Sequence, residues 1–335
     1  MKSTIRTCLA SLALAAMATG PAVAADKFTV QLRWLPQAQF AGYYVAAAKG
    51  FYKEVDLDVT VKPGGPDIAP PQVLAANGAD VAVDWMPSAL AARGRRAARQ
   101  HLADLQPLRD DADLQRGQRR RDAKDFKGKT LGVWFSGNEY PFLAWMAILN
   151  LTTTGANPDV KVLKQGFNVD PLLQNQAACI STMIYNEYWQ IVDAGVKPDQ
   201  LVTFFYEDQG VAMLEDGLYA LGPKLKDPAF VARRAASSKP RSGLGLRAEE
   251  PGRGGEDRPA ADASGGSTAA IQKRQLENVA KLITTAGTPK FGQLDPAAYQ
   301  RTVKVLLSGG STPVIKKDPG PDAWSNVVFE KATGK

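Results

Sequence analysis

The residues of this chain that could do chemistry are aromatic, amide and carboxyl side chains that follow short apolar segments. The set comprises Trp34, Gln37, Gln39, Asp67, Asp84, Trp85, Asn138, Glu139, Tyr140, Tyr185, Glu187 and Tyr188. Aromatic rings stack on flat heterocycles, while carboxylates and amides form hydrogen bonds with ring nitrogens and amino groups. The set therefore predicts a site for a small nitrogen-bearing heteroaromatic molecule. A bare anion such as nitrate or a sulfonate would require Arg, Lys, hydroxyls or helix N-termini, and these loops carry almost no base.

Several of these residues also have a purely structural interpretation. Trp34 and Trp85 could belong to an ordinary core. Asp84 could cap the helix that follows it, and Glu139 and Glu187 could be first-turn acids favoured by the helix dipole. These alternatives stay open at the level of sequence.

Catalytic and metal-binding patterns are absent from the sequence. The chain has no phosphate-loop spacing, no Cys-His or Ser-His-Asp signature and no metal-ligand cluster. Its sole histidine is His101, and Cys179 sits in an apolar segment typical of a buried thiol. We therefore expect no catalytic residue, no metal and no cofactor.

An alternation of strands and helices positions the candidate residues. FTVQLRW, DLDVTVK and ADVAVD have strand patterns with helical segments between them, and a second such unit begins near Asp125. This order predicts mainly parallel sheets flanked by helices. An open parallel sheet binds ligands outside the carboxyl ends of its strands, where the candidate residues lie. About 310 residues after the leader are enough for two lobes.

The N-terminus has the pattern of a secretory signal peptide. Residues 1–25 combine a basic start, an apolar middle and an Ala-Val-Ala ending, which predicts cleavage near Ala24 or Ala25. We expect an exported, periplasmic protein.

Two arginine-rich windows account for the basic character of the chain. Residues 93–121 hold nine arginines and no lysine, and residues 233–258 hold six arginines. Their net charges of +5 and +3 sum to +8, against +7 for the whole chain, so the remainder is close to neutral. Arms that bind nucleic acid usually interleave aromatic residues with basic ones, and the first window has none. No nucleic-acid partner is expected.

Longer segments resemble one family of known proteins. QLRWLPQAQFAGYYVAAAKGFYKE, ADVAVDWMPSALAAR, KGKTLGVWFSGNEYPFLAW and STMIYNEYWQ are similar to segments of NMT1/THI5-like (SsuA/THI5-like) periplasmic substrate-binding proteins. The resemblance implies an α/β, two-lobed periplasmic-binding-protein fold of type II, with the ligand cleft between the lobes. It also implies a monomeric solute-binding component that delivers a small-molecule solute to the membrane permease of an ABC importer.

The resemblance also assigns the segments of the chain. Lobe 1 comprises residues 26–92 and 223–335, and lobe 2 comprises residues 125–222. Residues 93–124 stand where the first crossover belongs, and residues 233–268 stand where helices of lobe 1 belong. Both windows begin inside family-like segments, and they are rich in Arg, Ala, Gly and Pro, which GC-rich codons encode. Our hypothesis is a pair of compensated frameshifts, either sequencing errors or real lesions of the gene, and a genuine linker is the alternative.

The resemblance leaves several functions open. A thiamine-precursor pyrimidine is the expected solute, captured by closure of the lobes, with a riboflavin-like aromatic, a sulfonate or nitrate as alternatives. Eukaryotic THI5-type enzymes of the same superfamily make the pyrimidine with lysine-bound pyridoxal phosphate and histidine. Because His101 lies inside the first window, we expect a binding protein rather than an enzyme.

Overall fold

Two β-sheets organise the part of the chain that a computed structural model describes, which is residues 25–95, 100–103, 112–116, 123–246, 268–284, 292–308 and 313–334. The strands are β1 (Asp26–Gln31), β2 (Leu57–Lys62), β3 (Val81–Trp85), β4 (Gln100–Ala103), β5 (Ala112–Arg116), β6 (Thr130–Val133), β7 (Lys161–Lys164), β8 (Cys179–Met183), β9 (Val202–Phe205), β10 (Asp216–Leu221) and β11 (Trp324–Ser325). The first sheet has the order β11-β4-β10-β3-β1-β2, and the second has the order β7-β6-β8-β5-β9. Each sheet is the centre of one lobe.

Helices flank both sheets. They are α1 (Ala41–Ala48), α2 (Pro70–Ala75), α3 (Met86–Arg95), α4 (Glu139–Ile148), α5 (Asp170–Leu173), α6 (Glu187–Asp193), α7 (Gly222–Leu225), α8 (Pro228–Leu246), α9 (Ala269–Thr284), α10 (Pro296–Leu307) and α11 (Val327–Thr333). Short 3-10 turns occupy Ala38–Phe40, Lys53–Val55, Ala123–Phe126, Pro198–Gln200 and Pro321–Ala323. No helix in these described stretches is both long and apolar enough to cross a membrane.

The strand pairing confirms the predicted α/β architecture. In the first sheet β1 runs parallel to both β2 and β3, and in the second β6 runs parallel to β7 and β8. The antiparallel strands are β10, which pairs with β3 and β4, and β5, which pairs with β8 and β9. Parallel strands with helical connections place their carboxyl ends at one edge of each sheet. The candidate residues therefore gather where the two sheets face each other.

The predicted end of lobe 2 at residue 222 is wrong. Residues Asp216–Leu221 form β10, which pairs with β3 in the first sheet in the register Asp216↔Trp85. Leu218 and Tyr219 are buried in that sheet's core. The chain therefore returns to the first lobe before Asp216, because the apolar side chains of β10 complete the first sheet rather than the second.

The first arginine window provides short strands in both sheets. β4 pairs with β10 and β11, and β5 pairs with β8 and β9. Backbone groups alone make these pairings, so they do not require a particular set of side chains. Residues 104–111 and 117–122 lie outside the described part of the chain. The frameshift hypothesis for this window stays a prediction.

The second window begins inside a continuous helix, α8. Its Ala-rich and Arg-rich start favours helix, and α8 continues through Arg233 to Leu246. Ala235 packs with Val231 and with Val328 of α11. Residues 247–267 lie outside the described part of the chain, and their assignment as out of frame stays a prediction.

One helix packs against both lobes behind the return crossing. α10 contacts α3 of the first lobe and α4 of the second. The fully buried Thr302 of α10 accepts a hydrogen bond from the Leu214 backbone N–H at 2.9 Å and donates one to the Ala298 carbonyl. α10 therefore fixes the segment through which the chain passes from the second sheet to the first.

Candidate functional site

The candidate site is a cleft between the carboxyl ends of the two sheets. It encloses about 320 Å³ of space, including the part that is open to solvent. Its lining residues lie at or just beyond the carboxyl ends of β1, β3, β6 and β8, and they are Arg33, Trp34, Gln37, Gln39, Trp85, Trp134, Asn138, Met183, Tyr185 and Glu187. Both lobes therefore contribute to one small, aromatic and polar cleft.

Aromatic rings form the apolar surface of the cleft. Trp34 of the first lobe meets Trp134 of the second edge-on, with ring centroids 6.1 Å apart. The Trp134 indole N–H donates to the Gly166 carbonyl at 2.7 Å, which fixes the orientation of that ring. Trp85 and Tyr185 are almost completely buried beside them. Rings held in fixed orientations suit the stacking of a planar solute.

A chain of amide hydrogen bonds crosses the cleft. The Asn186 side chain of the second lobe donates to Gln37 Oε1 at 3.2 Å, and Gln37 Nε2 donates to Gln39 Oε1 at 2.6 Å. Gln39 Nε2 in turn donates to Asp216 Oδ2 at 3.2 Å. Amides offer both donors and acceptors, so the same groups can exchange these partners for the polar atoms of a solute.

Arg33 is a cleft residue that the sequence interpretation missed. Its guanidinium is 2% exposed, and its Nε lies 3.2 Å from Asp84 Oδ1. Its Nη2 donates to the Ser136 carbonyl and to Asn138 Oδ1, each at 3.1 Å. The expectation of almost no base is therefore wrong at this position. The available signal was the alternation of QLRW, which places Arg33 on the same face as Gln31 beyond the end of β1.

Burial raises the pKa of the carboxyl groups around the cleft. It raises the pKa of Glu187 to about 7, against the hydrogen bonds from the Met183 and Glu187 backbone and from Asn186. It raises the pKa of Asp84 and of Asp216 to about 6, and the Arg33 charge opposes both shifts. Near neutral pH these groups can donate as well as accept hydrogen bonds.

Asp216 was also missed, because residues 125–222 were assigned to the second lobe, whereas β10 pairs with β3 of the first sheet. Its partner across the β3–β10 pair is Trp85. The nearby Tyr219 hydroxyl has a pKa well above its ordinary value because of burial and the neighbouring Asp84 and Asp216 charges. Tyr219 therefore stays a neutral phenol beside the carboxyls.

The structure brings most of the predicted residues together. Those that line the cleft are Trp34, Gln37, Gln39, Trp85, Asn138, Tyr185 and Glu187, and Asp84 lies directly against Arg33. Glu187 is not a solvated first-turn acid, since it is 2% exposed and its carboxyl accepts from the Met183 N–H. The ligand-binding role of each residue stays a prediction.

The other predicted residues lie outside the cleft lining. Asp67 is exposed and pairs across the lobes with Lys164 at 3.0 Å. Glu139 accepts from the Gly137 N–H at 2.7 Å, and Tyr140 is buried in the core. Tyr188 packs edge-on against Trp189, at 5.1 Å between ring centroids. Sequence spacing alone did not separate these side chains from those that face the cleft, because neighbouring helix positions point in different directions.

The loop after β6 approaches the first lobe very closely. Gly137 has a φ of 108°, and a Cβ built on it would lie 2.5 Å from the Ser88 Cβ of α3. A glycine is therefore required there for both the backbone conformation and the contact. This approach brings Asn138 into reach of Arg33.

Metal ligands are not grouped within the described ranges. No cluster of three or more His, Cys, Asp or Glu side chains is placed there to hold a metal ion. Cys179 is a buried thiol, as predicted.

Comparison with known proteins gives a family match and one curated relative. The family model described as NMT1/THI5 like matches residues 37–234. The chain is 28% identical over 221 residues to a protein of Haemophilus influenzae named "Putative thiamine biosynthesis protein". That alignment covers 64% of this chain and 67% of the relative.

Solved structures share the fold at low identity. A ligand binding component of an ABC-type import system from Staphylococcus aureus is 10% identical, with a TM-score of 0.64 and coverage of 92% of this chain and 99% of that chain. The periplasmic aliphatic sulphonate binding protein SsuA from Escherichia coli is 11% identical, with a TM-score of 0.60 and coverage of 85% of both chains. The desulfurization enzyme DSZB is 13% identical, with a TM-score of 0.56 and coverage of 92% of this chain and 99% of that chain.

These likenesses show the periplasmic-binding-protein fold, with α/β lobes built on parallel sheets. The family model extends over more than half of the sequence. The chain therefore belongs to the NMT1/THI5-like family.

Proposed function

We propose that the protein is the exported solute-binding component of an ABC importer, and that its solute is a small heteroaromatic of the thiamine-precursor pyrimidine type. The observation that carries the proposal is the cleft itself, in which fixed Trp rings face amide groups and the Glu187 carboxyl. The pKa of that carboxyl is about 7, so it can hold a proton at neutral pH. Family membership and the import-system and sulphonate-binding structures of the same fold support the general role. The proposed location is the periplasm, and the proposed partner is a membrane permease.

The charge of the cleft favours an uncharged or cationic solute over an anion. Arg33 is already held by Asp84 and by the Asn138 and Ser136 oxygens. Asp216 and Glu187 add carboxyls that no further base among the lining residues offsets. A sulfonate or nitrate would have to displace these contacts before it could use the guanidinium.

The close approach of the two walls of the cleft favours a single ring over a flavin, because Trp34 and Trp134 meet across it with ring centroids 6.1 Å apart. Trp34 and Trp134 lie on opposite sides of the domain boundary. A planar ring that stacks on one of them and meets the other edge-on would contact the two lobes at once.

Glu187 is suited to recognise an aminopyrimidine. Such a ring presents a nitrogen acceptor beside an amino donor, and a carboxyl group can pair with both. Hydrogen bonds from the Met183 N–H at 3.0 Å and from Asn186 Nδ2 at 2.7 Å fix the plane of the carboxyl. With a pKa of about 7, Glu187 can hold a proton for the ring nitrogen at neutral pH.

Capture by closure follows from the two-sided cleft. A ligand that contacts residues of both lobes binds the closed arrangement more tightly, and so shifts the population toward it. In the proposed importer the permease would recognise that closed arrangement. No covalent chemistry is required.

Calorimetric titration tests the proposal. We expect a 4-amino-2-methylpyrimidine to bind, while riboflavin, an alkanesulfonate and nitrate give no heat. Glu187→Gln should weaken binding by about ten-fold or more, because loss of one well-placed hydrogen bond to a charged or protonated partner costs about 1.5–3 kcal/mol. Asp199→Asn, at an exposed position of the second lobe, is the control. Binding of an anion alone, or of none of the four, would overturn the proposal.

A THI5-like pyrimidine synthase is the second candidate function. The family match admits it, and DSZB shows that the fold also occurs in an enzyme. Pyridoxal phosphate requires a lysine, and the described residues that line the cleft include neither lysine nor histidine. The cleft therefore does not fit that cofactor. An absorption band of a pyridoxal Schiff base in the purified protein would favour the enzyme over the binding protein.

A further inference from the structure

Helix α9 touches both lobes through two consecutive residues. Gln275 Oε1 accepts a hydrogen bond from the Ala38 N–H of the first lobe at 2.9 Å. Arg274 Nη1 lies 2.9 Å from Asp193 Oδ1 on α6 of the second lobe. The Arg274 guanidinium also lies over the Trp189 ring of α6, with its central carbon 5.0 Å from the ring centroid.

Each contact supports one wall of the cleft from behind. Ala38 stands between Gln37 and Gln39, which line the cleft. α6 begins at Glu187, which lines the opposite wall. Gln275 is fully buried, so its attachment to the first lobe is rigid. Arg274 and Gln275 are themselves absent from the cleft lining.

We propose that α9 is an inter-lobe strap, anchored on the first lobe by Gln275, whose Arg274 holds α6 of the second lobe and thereby sets the balance between open and closed protein. The inference rests on the proposed function only in treating lobe closure as the binding step. Arg274 is a positioning residue in this scheme, since it acts on Glu187 and its neighbours through α6.

A second ion pair between the lobes is much weaker by comparison. Lys164 and Asp67 are 3.0 Å apart, but their side chains are 60% and 81% exposed. Water and salt screen such a pair, and its net contribution is small. The Arg274 and Asp193 side chains are only 31% and 37% exposed. Arg274 also adds a cation–aromatic contact that the Lys164 pair lacks.

Distance measurements on the full chain test the strap without any solute. Spin labels on Lys53→Cys of the first lobe and Gln176→Cys of the second, both at exposed positions, report the separation of the lobes, and the buried Cys179 gives the background. Arg274→Gln should lower the closed-to-open ratio by about five-fold or more, the combined effect typical of a half-exposed ion pair and a cation–aromatic contact. Arg274→Lys should lower it less, because it keeps the charge and loses the planar stacking.

Two controls identify the origin of the effect. Arg301→Gln removes a pair with Asp295 within the first lobe, at 3.9 Å, and should leave the distance distribution unchanged. Asp193→Asn should change the distance distribution little in a protein that already carries Arg274→Gln, because the two residues form one interaction. Near-ultraviolet circular dichroism confirms folding of each variant. If Arg274→Gln does not fold, the test rests on the distance distribution of Arg274→Lys.

An unchanged distribution in the folded Arg274 variants would overturn the strap. A shift of equal size in Arg301→Gln would also overturn it. The calorimetric titration of the unaltered protein with the aminopyrimidine is independent of this result. Failure of that titration would overturn the proposed solute and leave the strap standing.

Discussion

At the cleft, Glu187 is an almost completely buried carboxyl whose oxygens accept from Met183 and Asn186. Its pKa is about 7 in the folded protein, against an ordinary value of 4.5. The folded state therefore binds the Glu187 proton more tightly than the unfolded state. By linkage, the free energy of unfolding is highest below about pH 4.5 for this group, and it decreases as the pH rises toward 7.

Glu187→Gln should remove that decrease. We expect urea unfolding, followed by Trp fluorescence, to show a stability loss on the order of 2 kcal/mol between pH 5 and pH 8 in the unaltered protein. The loss should be smaller in Glu187→Gln, and the part that remains should lie below about pH 6, where Asp84 and Asp216 titrate. Exposed Glu54→Gln is the control. A full loss between pH 6 and 8 in Glu187→Gln would contradict the assignment.

Gly137 tests whether the lobes must come close for binding. Gly137→Ala places a Cβ against Ser88 and should obstruct closure, weakening aminopyrimidine binding by about ten-fold or more. Gly155→Ala is the matched control, because Gly155 has a similar φ of 104° with nothing within 4 Å. Both variants should lose roughly 1 kcal/mol of stability from the backbone conformation, and only Gly137→Ala should lose affinity in calorimetry. Equal affinity in the two variants would show that this approach is not needed.

At the scale of elements, α10 holds the return crossing through a single hydroxyl. Thr302→Val keeps the shape of the side chain and leaves the Leu214 N–H without the acceptor it has in this structure. The expected cost is about 1–3 kcal/mol, the penalty for a buried polar group that loses its partner. Thr333→Val in α11 is the control, because Thr333 bonds only within its own helix. Urea unfolding measures both, and equal costs would mean that the crossing does not depend on this hydroxyl.

Whether a segment forms a strand or a helix could be predicted where its local sequence pattern is distinctive. The alternation in β1 and β2 and the apolar run of β3 each predicted a strand. The structure places residues at the carboxyl ends of β1, β3 and β8 in the cleft lining, while their role in binding stays a prediction. Sheet membership was not predictable in the same way for β10, since its place beside β3 depends on the long-range return of the chain. Asp216 was missed for this reason. Arg33 was missed because it lies at the end of a strand pattern, where an arginine usually points to solvent.

At the scale of the whole molecule, the two-lobed architecture came from the order of the elements and from the family resemblance. The limits of the lobes could not be predicted from these sources, because a crossing strand has the same local pattern in either sheet. The arginine windows present the same difficulty. The strands β4 and β5 pair through backbone groups, and so their presence says little about whether those side chains are the intended ones.

Mass spectrometry of the protein from its natural source tests the frameshift hypothesis. A tryptic digest should lack the peptides of residues 100–109 and 110–116 while it contains the peptide of residues 282–290. The reason is that codons read in another frame encode different residues within the windows, and residues 282–290 lie outside both windows. Detection of both window peptides would remove the sequencing-error explanation. Their side chains would then belong to the natural protein.

The Arg33 contacts bear on how an importer would tell a loaded protein from an empty one. The guanidinium contacts Asp84 of the first lobe and Asn138 of the second directly. Part of the free energy that favours closure therefore comes from the protein alone. As a result, the empty protein differs less in shape from the loaded protein. In the proposed importer, discrimination at the permease would then depend on the remainder of the free energy of closure, which the solute supplies. A stronger Arg33 bridge would raise the affinity for the solute. It would at the same time increase unproductive docking of the empty protein on the permease.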